Sequence, residues 1–247
     1  MTVGCSSGSL GVGEGGHDVV VSSVGIIVPL YSPPSDSTWA KLMDVKRKHT
    51  SVPIIAIVNP ANGVGAAIDS SYTAGIATLK ANGIVVIGYV ATGWARRALQ
   101  ETKAESLQWK QFYPEIDGIF LDEMSNTVGD EAYYSQATVY IKSLGLTKTV
   151  GNPGSSTLES YVGTVDTMLI YESAGLPDKA SFDPWIKKYG KSNFGIIPYA
   201  VVALDLQFLS DVSNFIGWIY LTNDDLPNPW DSLPPYLDDL AAAFLKI

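Results

Sequence analysis

Eight short apolar segments recur along this chain, and stretches with helical periodicity separate most of them. A regular alternation of strands and helices implies parallel strands that are joined by right-handed crossovers. Eight such units in 247 residues predict an α/β fold with a single (β/α)8 barrel of the TIM type. The predicted strands are residues 24–31, 53–58, 84–90, 118–122, 147–151, 167–171, 194–199 and 216–221.

The stretches between these strands predict helices, with only a short one at 157–162. A doubly wound open sheet has the same order of elements and remains the alternative, because a sequence does not show closure. Such a sheet usually has a glycine-rich phosphate loop after its first strand. Here Ser32-Pro33-Pro34-Ser35 follows instead. The other predicted helices are 38–48, 72–81, 101–112, 131–144, 182–189, 206–213 and 233–246.

The N-terminal segment, residues 1–22, is rich in Gly and Ser and is predicted to be a flexible leader before a catalytic barrel at 23–247. It has no apolar core of a signal peptide, and no segment of the chain is long and apolar enough to span a bilayer. The sequence around Cys5 resembles the end of a bacterial lipobox. A lipid anchor at Cys5 is therefore one hypothesis beside a plain disordered tail, and the expected location is extracellular or at the cell surface.

Charge and composition exclude several classes of function. The net charge of −9 disfavours nucleic acid, whose phosphates would be repelled. A single cysteine and two histidines rule out an intrachain disulfide, a thiolate metal cluster and a site with several histidine ligands. We expect neither a metal nor a cofactor, and we expect a monomer.

The predicted strands end in polar and aromatic residues, which is where barrel enzymes hold their active sites. Sugars stack their C–H faces on aromatic rings and pair their hydroxyls with acids and amides. This set therefore predicts a carbohydrate site, although any single aromatic could instead cap the barrel core. The residues are Tyr31, Asn59, Tyr89, Thr92, Trp94, Asp122, Glu123, Asn152, Glu172, Tyr199, Asn223 and Asp224.

Two carboxylates stand out among these strand ends. Asp122 ends an apolar strand, and strand alternation places it on the face of Phe120. Asp122 and Glu172 end the fourth and sixth strands, so a barrel would place them in one layer with carboxyl groups about 5–9 Å apart. This separation suits glycoside hydrolysis. Glu123 points to the other face unless the strand end is distorted, and its alternative role is to support its neighbours.

Several longer motifs resemble the spherulin-4 family, from about residue 25 to the C-terminus. One departure is Trp94-Ala95, where Tyr-Gly is expected in the family. The matching motifs are Tyr89-Val90-Ala91-Thr92-Gly93-Trp94-Ala95-Arg96-Arg97, Ile116-Asp117-Gly118-Ile119-Phe120-Leu121-Asp122-Glu123-Met124, Gly151-Asn152-Pro153-Gly154, Tyr171-Glu172-Ser173, Leu221-Thr222-Asn223-Asp224-Asp225 and Asn228-Pro229-Trp230-Asp231.

The resemblance implies a TIM-barrel hydrolase that cleaves galactosamine-containing exopolysaccharide or biofilm polymer as an endo-α-1,4-N-acetylgalactosaminidase. It implies catalytic acids at Asp122, Glu123 and Glu172, with Asp122 as nucleophile and Glu172 as general acid/base in a retaining mechanism. An inverting route stays open, since chemistry alone asks only for one ionised and one protonated carboxyl group. The predicted substrate-binding residues are Tyr31, Asn59, Tyr89, Thr92, Trp94, Arg97, Asn152, Tyr199, Asn223 and Asp224.

Other chemistries fit the sequence less well. No predicted strand carries the lysine of a Schiff-base aldolase, and neither histidine lies where a serine hydrolase would need its base. The alternative from a different class is a noncatalytic glycan-binding barrel, in which the acids only hydrogen-bond sugar. The acetylation state of the substrate is not fixed by the sequence.

Overall fold

The computed structural model describes residues 24–247, and its eight strands form one parallel sheet in chain order. Gly25 forms a parallel bridge with Trp218, and Ile219 donates its N–H to the carbonyl of Gly25 at 3.0 Å. The last strand therefore pairs with the first, and the predicted (β/α)8 barrel is confirmed. The strands are β1 Ile26–Leu30, β2 Ile54–Val58, β3 Val85–Ala91, β4 Gly118–Asp122, β5 Lys148–Gly151, β6 Thr167–Leu169, β7 Phe194–Ile196 and β8 Trp218–Ile219.

Six α-helices lie outside this barrel within the described part of the chain. Asp36, Asp69 and Asp205 begin three of them, because each carboxylate accepts a backbone N–H of the first turn. The predicted leader and Cys5 lie outside the described residues. No helix among residues 24–247 is long and apolar enough to cross a membrane. The helices are α1 Ser37–Lys48, α2 Ser70–Ala81, α3 Leu99–Phe112, α4 Glu131–Ser143, α5 Leu206–Val212 and α6 Leu237–Phe244.

The predicted α-helix at 182–189 is wrong, since this stretch forms a short 3₁₀ helix at Pro184–Lys188. Pro184 lacks a backbone N–H, so it is tolerated only in the first turn. The short helix predicted at 157–162 is a single 3₁₀ turn, Glu159–Tyr161. The last helix begins at Leu237 rather than at residue 233, because two prolines precede it.

Close packing of α3 on β3 fixes the strand that carries Tyr89. A Cβ at Gly88 would lie 2.4 Å from the ring of Trp109, so only glycine allows this approach. The buried Trp109 indole donates a hydrogen bond to the Tyr89 carbonyl at 2.8 Å. Tyr89 pairs with Phe120 of β4 in the sheet register, and the two rings lie 5.9 Å apart. Tyr89 is thus held between α3 and β4 by close packing.

Candidate active site

The C-terminal ends of the strands surround a cavity of about 350 Å³, a volume typical of small-ligand sites. Every strand, or the loop that follows it, contributes to the wall. Phe120 and Asp122 both line it, as strand alternation predicts. The lining residues are Pro29, Tyr31, Asn59, Asn62, Tyr89, Phe120, Asp122, Asn152, Glu172, Ile197, Asn228 and Trp230.

The Asn152 amide joins the two predicted catalytic carboxylates. Its Nδ2 donates to Asp122 Oδ1 at 2.9 Å and to Glu172 Oε2 at 2.6 Å. These two oxygens are therefore at most 5.5 Å apart, the sum of both distances. Asn152 follows β5, between the strands that carry the acids. One amide thus spans the two acids at the mouth of the barrel.

A tight turn after β5 orients this amide. The N–H of Gly154 donates to Asn152 Oδ1 at 3.0 Å, so the amide NH₂ is left to face the carboxylates. Gly154 has a left-handed φ of 64°, which glycine adopts without strain. Its carbonyl accepts the backbone N–H of Glu172 at 2.9 Å. The turn therefore couples Asn152 to Glu172 through the main chain as well.

The site changes the titration of the Glu172 carboxyl group. Burial raises its pKa above the ordinary value, and the nearby charge of Asp122 raises it further. Hydrogen bonds from Asn152 and Trp230 oppose this, but the net shift is upward. A carboxyl group with a raised pKa can hold a proton closer to neutral pH, as a general acid must.

Two tyrosines complete the wall beside Asp122. The Tyr89 hydroxyl donates to Asp122 Oδ2 at 2.7 Å, so both carboxylate oxygens have a donor. The Tyr31 ring packs edge-on against Tyr89 at 5.8 Å. Burial and, next, the charge of Asp122 raise the pKa of both tyrosines. Both hydroxyls therefore stay protonated near neutral pH, and that of Tyr31 has no partner among residues 24–247.

Glu123 breaks the strand alternation because it adopts a left-handed φ of 50°. A direct catalytic role of Glu123 would need such a distortion at the end of the strand. Its carboxylate accepts the Gly93 N–H at 3.1 Å, and its carbonyl accepts the Trp94 N–H at 2.7 Å and the Thr92 hydroxyl at 2.8 Å. Glu123 thus contacts the turn after β3, and it does not line the cavity.

That turn contains three consecutive left-handed residues, Gly93, Trp94 and Ala95, with φ of 58°, 54° and 62°. A left-handed conformation costs a non-glycine residue about 1–2 kcal/mol. The hydrogen bonds to Glu123 stabilise it and hold the Trp94 side chain 53% exposed on the catalytic face of the barrel. Strain of this kind concentrates at functional sites.

Ala95→Gly is expected to stabilise the protein by roughly 0.5–1 kcal/mol, because glycine removes the left-handed penalty but adds unfolded-state entropy. Thermal denaturation should show a midpoint higher by about 1–3 °C. Ala74→Gly, in the exposed middle of α2, is the control and should destabilise by about 1 kcal/mol. A lower midpoint for Ala95→Gly would contradict the strain argument.

Arg97 and Asn59 lie in two loops that are connected by hydrogen bonds through Glu105. The Arg97 guanidinium donates to the Ala91 carbonyl at 2.9 Å and to Glu105 Oε2 at 2.6 Å. Asn59 Oδ1 accepts the Gly63 N–H at 2.8 Å, so its amide NH₂ is left for the cavity that it lines. Arg97 does not line that cavity.

The remaining predicted site residues lie outside the cavity wall. Thr92 is buried, and its hydroxyl contacts Tyr134 at 3.0 Å. Tyr199 packs edge-on against Trp230 at 6.3 Å. Asp224 accepts the Ser232 hydroxyl at 2.5 Å, and Asn223 is exposed. Their roles in substrate binding stay predictions.

Five cavity residues besides Phe120 were not among the predicted site residues: Pro29, Asn62, Ile197, Asn228 and Trp230. Asn228 and Trp230 belong to the motif Asn228-Pro229-Trp230-Asp231, which was the signal that could have identified them. Pro29 lies within β1 and Ile197 just after β7, and nothing in the sequence distinguishes them from core residues. Among residues 24–247, no three His, Cys, Asp or Glu side chains are grouped to hold a metal ion.

The family model described as "Spherulation-specific family 4" matches residues 25–244. Spherulin-4 of Physarum polycephalum is 34% identical over 175 residues, which cover 69% of this chain and 52% of that protein. The chain thus spans about half the length of this curated relative.

Solved structures with a similar fold include Sph3 of Aspergillus clavatus in complex with GalNAc, with a TM-score of 0.77 and 22% identity. The match covers 90% of this chain and 98% of Sph3. The maltogenic α-amylase AmyB of Thermotoga neapolitana matches with a TM-score of 0.58 and 9% identity, over 91% of this chain and 77% of AmyB. At these identities the likeness shows the barrel fold.

Proposed function

The chain belongs to the spherulation-specific family 4, and on that basis we propose that it is an endo-acting glycoside hydrolase. Its proposed substrate is an α-linked exopolysaccharide that contains galactosamine or N-acetylgalactosamine. The observation that carries this proposal is the Asn152 amide between Asp122 and Glu172, with two carboxylate oxygens at most 5.5 Å apart. The similar fold of Sph3, which was solved with GalNAc, supports the class of sugar.

The distance of at most 5.5 Å between Asp122 Oδ1 and Glu172 Oε2 supports a retaining mechanism, for which carboxyl groups about 5–5.5 Å apart are typical, whereas inverting enzymes need about 6.5–9.5 Å. Asp122 attacks the anomeric carbon while Glu172 protonates the departing glycosidic oxygen. The result is a glycosyl ester of Asp122 and a free chain end. Glu172, now ionised, takes a proton from water as the water attacks the anomeric carbon, and Asp122 leaves as a carboxylate.

Neighbouring residues prepare this chemistry. Tyr89 and Asn152 each donate to one oxygen of Asp122 and so fix the plane of the nucleophile. The raised pKa of Glu172 suits a group that must begin the cycle protonated. Glu123 supports the pair by holding the turn that carries Trp94. Tyr31, Asn59 and Trp230 line the cavity and are proposed to contact the sugar in it.

The proposed place of action is outside the cell or on its surface, where exopolysaccharide occurs, and the protein is proposed to act as a monomer. A lipid on Cys5 would anchor it there. Mass spectrometry of the native product tests the lipid anchor, because an unmodified Cys5 would contradict this proposal.

Product analysis tests the proposed function directly. We expect the protein to release new reducing ends from a galactosaminogalactan-type polymer, and NMR during the first turnovers should show the α-anomer as the initial product. An initial β-anomer would support the inverting route. Binding of the polymer without any new reducing ends would support the noncatalytic glycan-binding barrel.

A further inference from the structure

A second cavity, of about 420 Å³, lies beside the active-site cavity, and Asn62 lines both. We call it the lateral cavity. One wall is the loop at 61–65 after β2, and the other is formed by Arg97 and by one face of residues 101–108 in α3. A polymer cleaved internally must extend beyond the cavity that holds its scissile bond. Both walls follow the C-terminal ends of strands, after β2 and after β3, so the lateral cavity lies at the catalytic end of the barrel, where such a chain would continue.

Hydrogen bonds hold the two walls of the lateral cavity together. Glu105 accepts the Val64 N–H at 3.3 Å and the Arg97 guanidinium at 2.6 Å. Gln108 donates to the Gly65 carbonyl at 3.3 Å. A Cβ at Gly63 would lie 2.3 Å from Glu105 Oε1, so the Glu105 carboxylate packs directly against the backbone of the loop. A site fixed in this way loses little conformational entropy when it binds a ligand.

The lateral cavity has more negative than positive charge. Among the described residues that line it, Glu101 and Glu105 face a single cation, Arg97. Arg97 pairs closely with Glu105 at 2.6 Å and only loosely with Glu101 at 3.8 Å, and the Glu101 side chain is 64% exposed. Glu101 is therefore available to a cationic ligand.

We infer that the lateral cavity binds a neighbouring sugar of the polymer, and that Glu101 gives it a preference for a sugar with a free amine. The inference rests on the proposed function for the nature of the polymer. It adds a site outside the catalytic cavity and a group that distinguishes galactosamine from its N-acetylated form. An ammonium group near Glu101 gains a charge interaction, whereas an acetamido group gains none.

Glu101→Gln tests the charge preference in a Glu172→Gln background, where cleavage is slowed because the proposed general acid is absent. Calorimetry with a partly deacetylated galactosamine oligosaccharide should show a Kd about threefold higher, the size of an exposed ion pair. The Kd for the fully acetylated oligosaccharide should not change. Glu115→Gln is the control, since Glu115 is exposed before β4 at the opposite end of the barrel and its loss changes net charge equally.

Ala104→Trp tests occupancy of the lateral cavity, because Ala104 is exposed on α3 and lines it. This variant should weaken binding of both oligosaccharides but leave binding of the GalNAc monosaccharide unchanged. Ala132→Trp, at an exposed position of α4, is the steric control.

Unchanged oligosaccharide binding in Ala104→Trp would overturn the site. Equal effects of Glu101→Gln on both oligosaccharides would overturn the amine preference. Failure of the proposed function gives a different result, an unmutated protein that cleaves no polymer. The Kd comparison does not depend on cleavage.

Discussion

Replacement of Asp122 by Asn is expected to lower kcat/KM for the polymer by about 10⁴- to 10⁶-fold, the range seen when a covalent nucleophile is lost. Asparagine has the same shape, so the fold should persist, but its amide is a poor nucleophile. Release of reducing ends measures the loss, and circular dichroism checks the fold. Asp205→Asn is the matched control, because Asp205 is an exposed N-cap of α5 and Asn caps equally well.

Rescue by azide separates the roles of the two acids. In Asp122→Ala with an activated α-glycoside, azide should attack in place of the carboxylate and give the β-glycosyl azide. In Glu172→Ala the glycosyl-enzyme still forms, so azide should displace Asp122 and give the α-glycosyl azide. Exchanged products would reverse the assignment. An Asp122→Asn variant with more than about 1% of the original activity would argue against covalent catalysis at this residue.

The sequence was sufficient where local patterns determine structure. β4 has the predicted bounds because Gly118–Asp122 is a continuous apolar run with its only acid at the end. Alternation then placed Asp122 on the face of Phe120, and both line the cavity. The predicted layer that joins β4 to β6 agrees with an Asn152 amide that reaches Asp122 and Glu172 together.

Loop geometry could not be derived in the same way, since it depends on contacts distant in sequence. The loop at 61–65 is fixed by Glu105, 41 residues after Val64. Trp230 reaches the cavity because the loop after β8 folds back to the end of β1. There the Trp230 carbonyl accepts the Tyr31 N–H at 3.4 Å. Thr92 shows the reverse problem. A polar residue at a strand end suggests a ligand contact, but burial next to Tyr134 is a tertiary property that the sequence does not show.

Glu172→Gln is expected to lower kcat/KM by about 10²- to 10⁴-fold, the usual contribution of a general acid/base. In the unmutated protein the alkaline limb of kcat/KM should report the pKa of Glu172, because only its protonated form can donate to the leaving oxygen. Burial raises that pKa, so the limb should lie above the ordinary value of 4.5. The limb should be absent from the residual activity of the variant. A limb that persists unchanged would assign it to another group.

The same substitution should stabilise the fold, and the effect should depend on pH. A carboxyl group whose pKa is higher in the folded than in the unfolded protein favours unfolding once pH exceeds the unfolded value. Glutamine cannot ionise, so Glu172→Gln should melt at a higher temperature than the unmutated protein at pH 7. The difference should vanish below pH 4.5, the ordinary value for this group, because Glu172 is then protonated in both states. If the variant and the unmutated protein melt at the same temperature both at pH 7 and at pH 3, burial of the ionised Glu172 does not destabilise the fold. If the difference in melting temperature grows with pH, the ionised Glu172 destabilises the fold, and the protein keeps this acid because the reaction needs its proton.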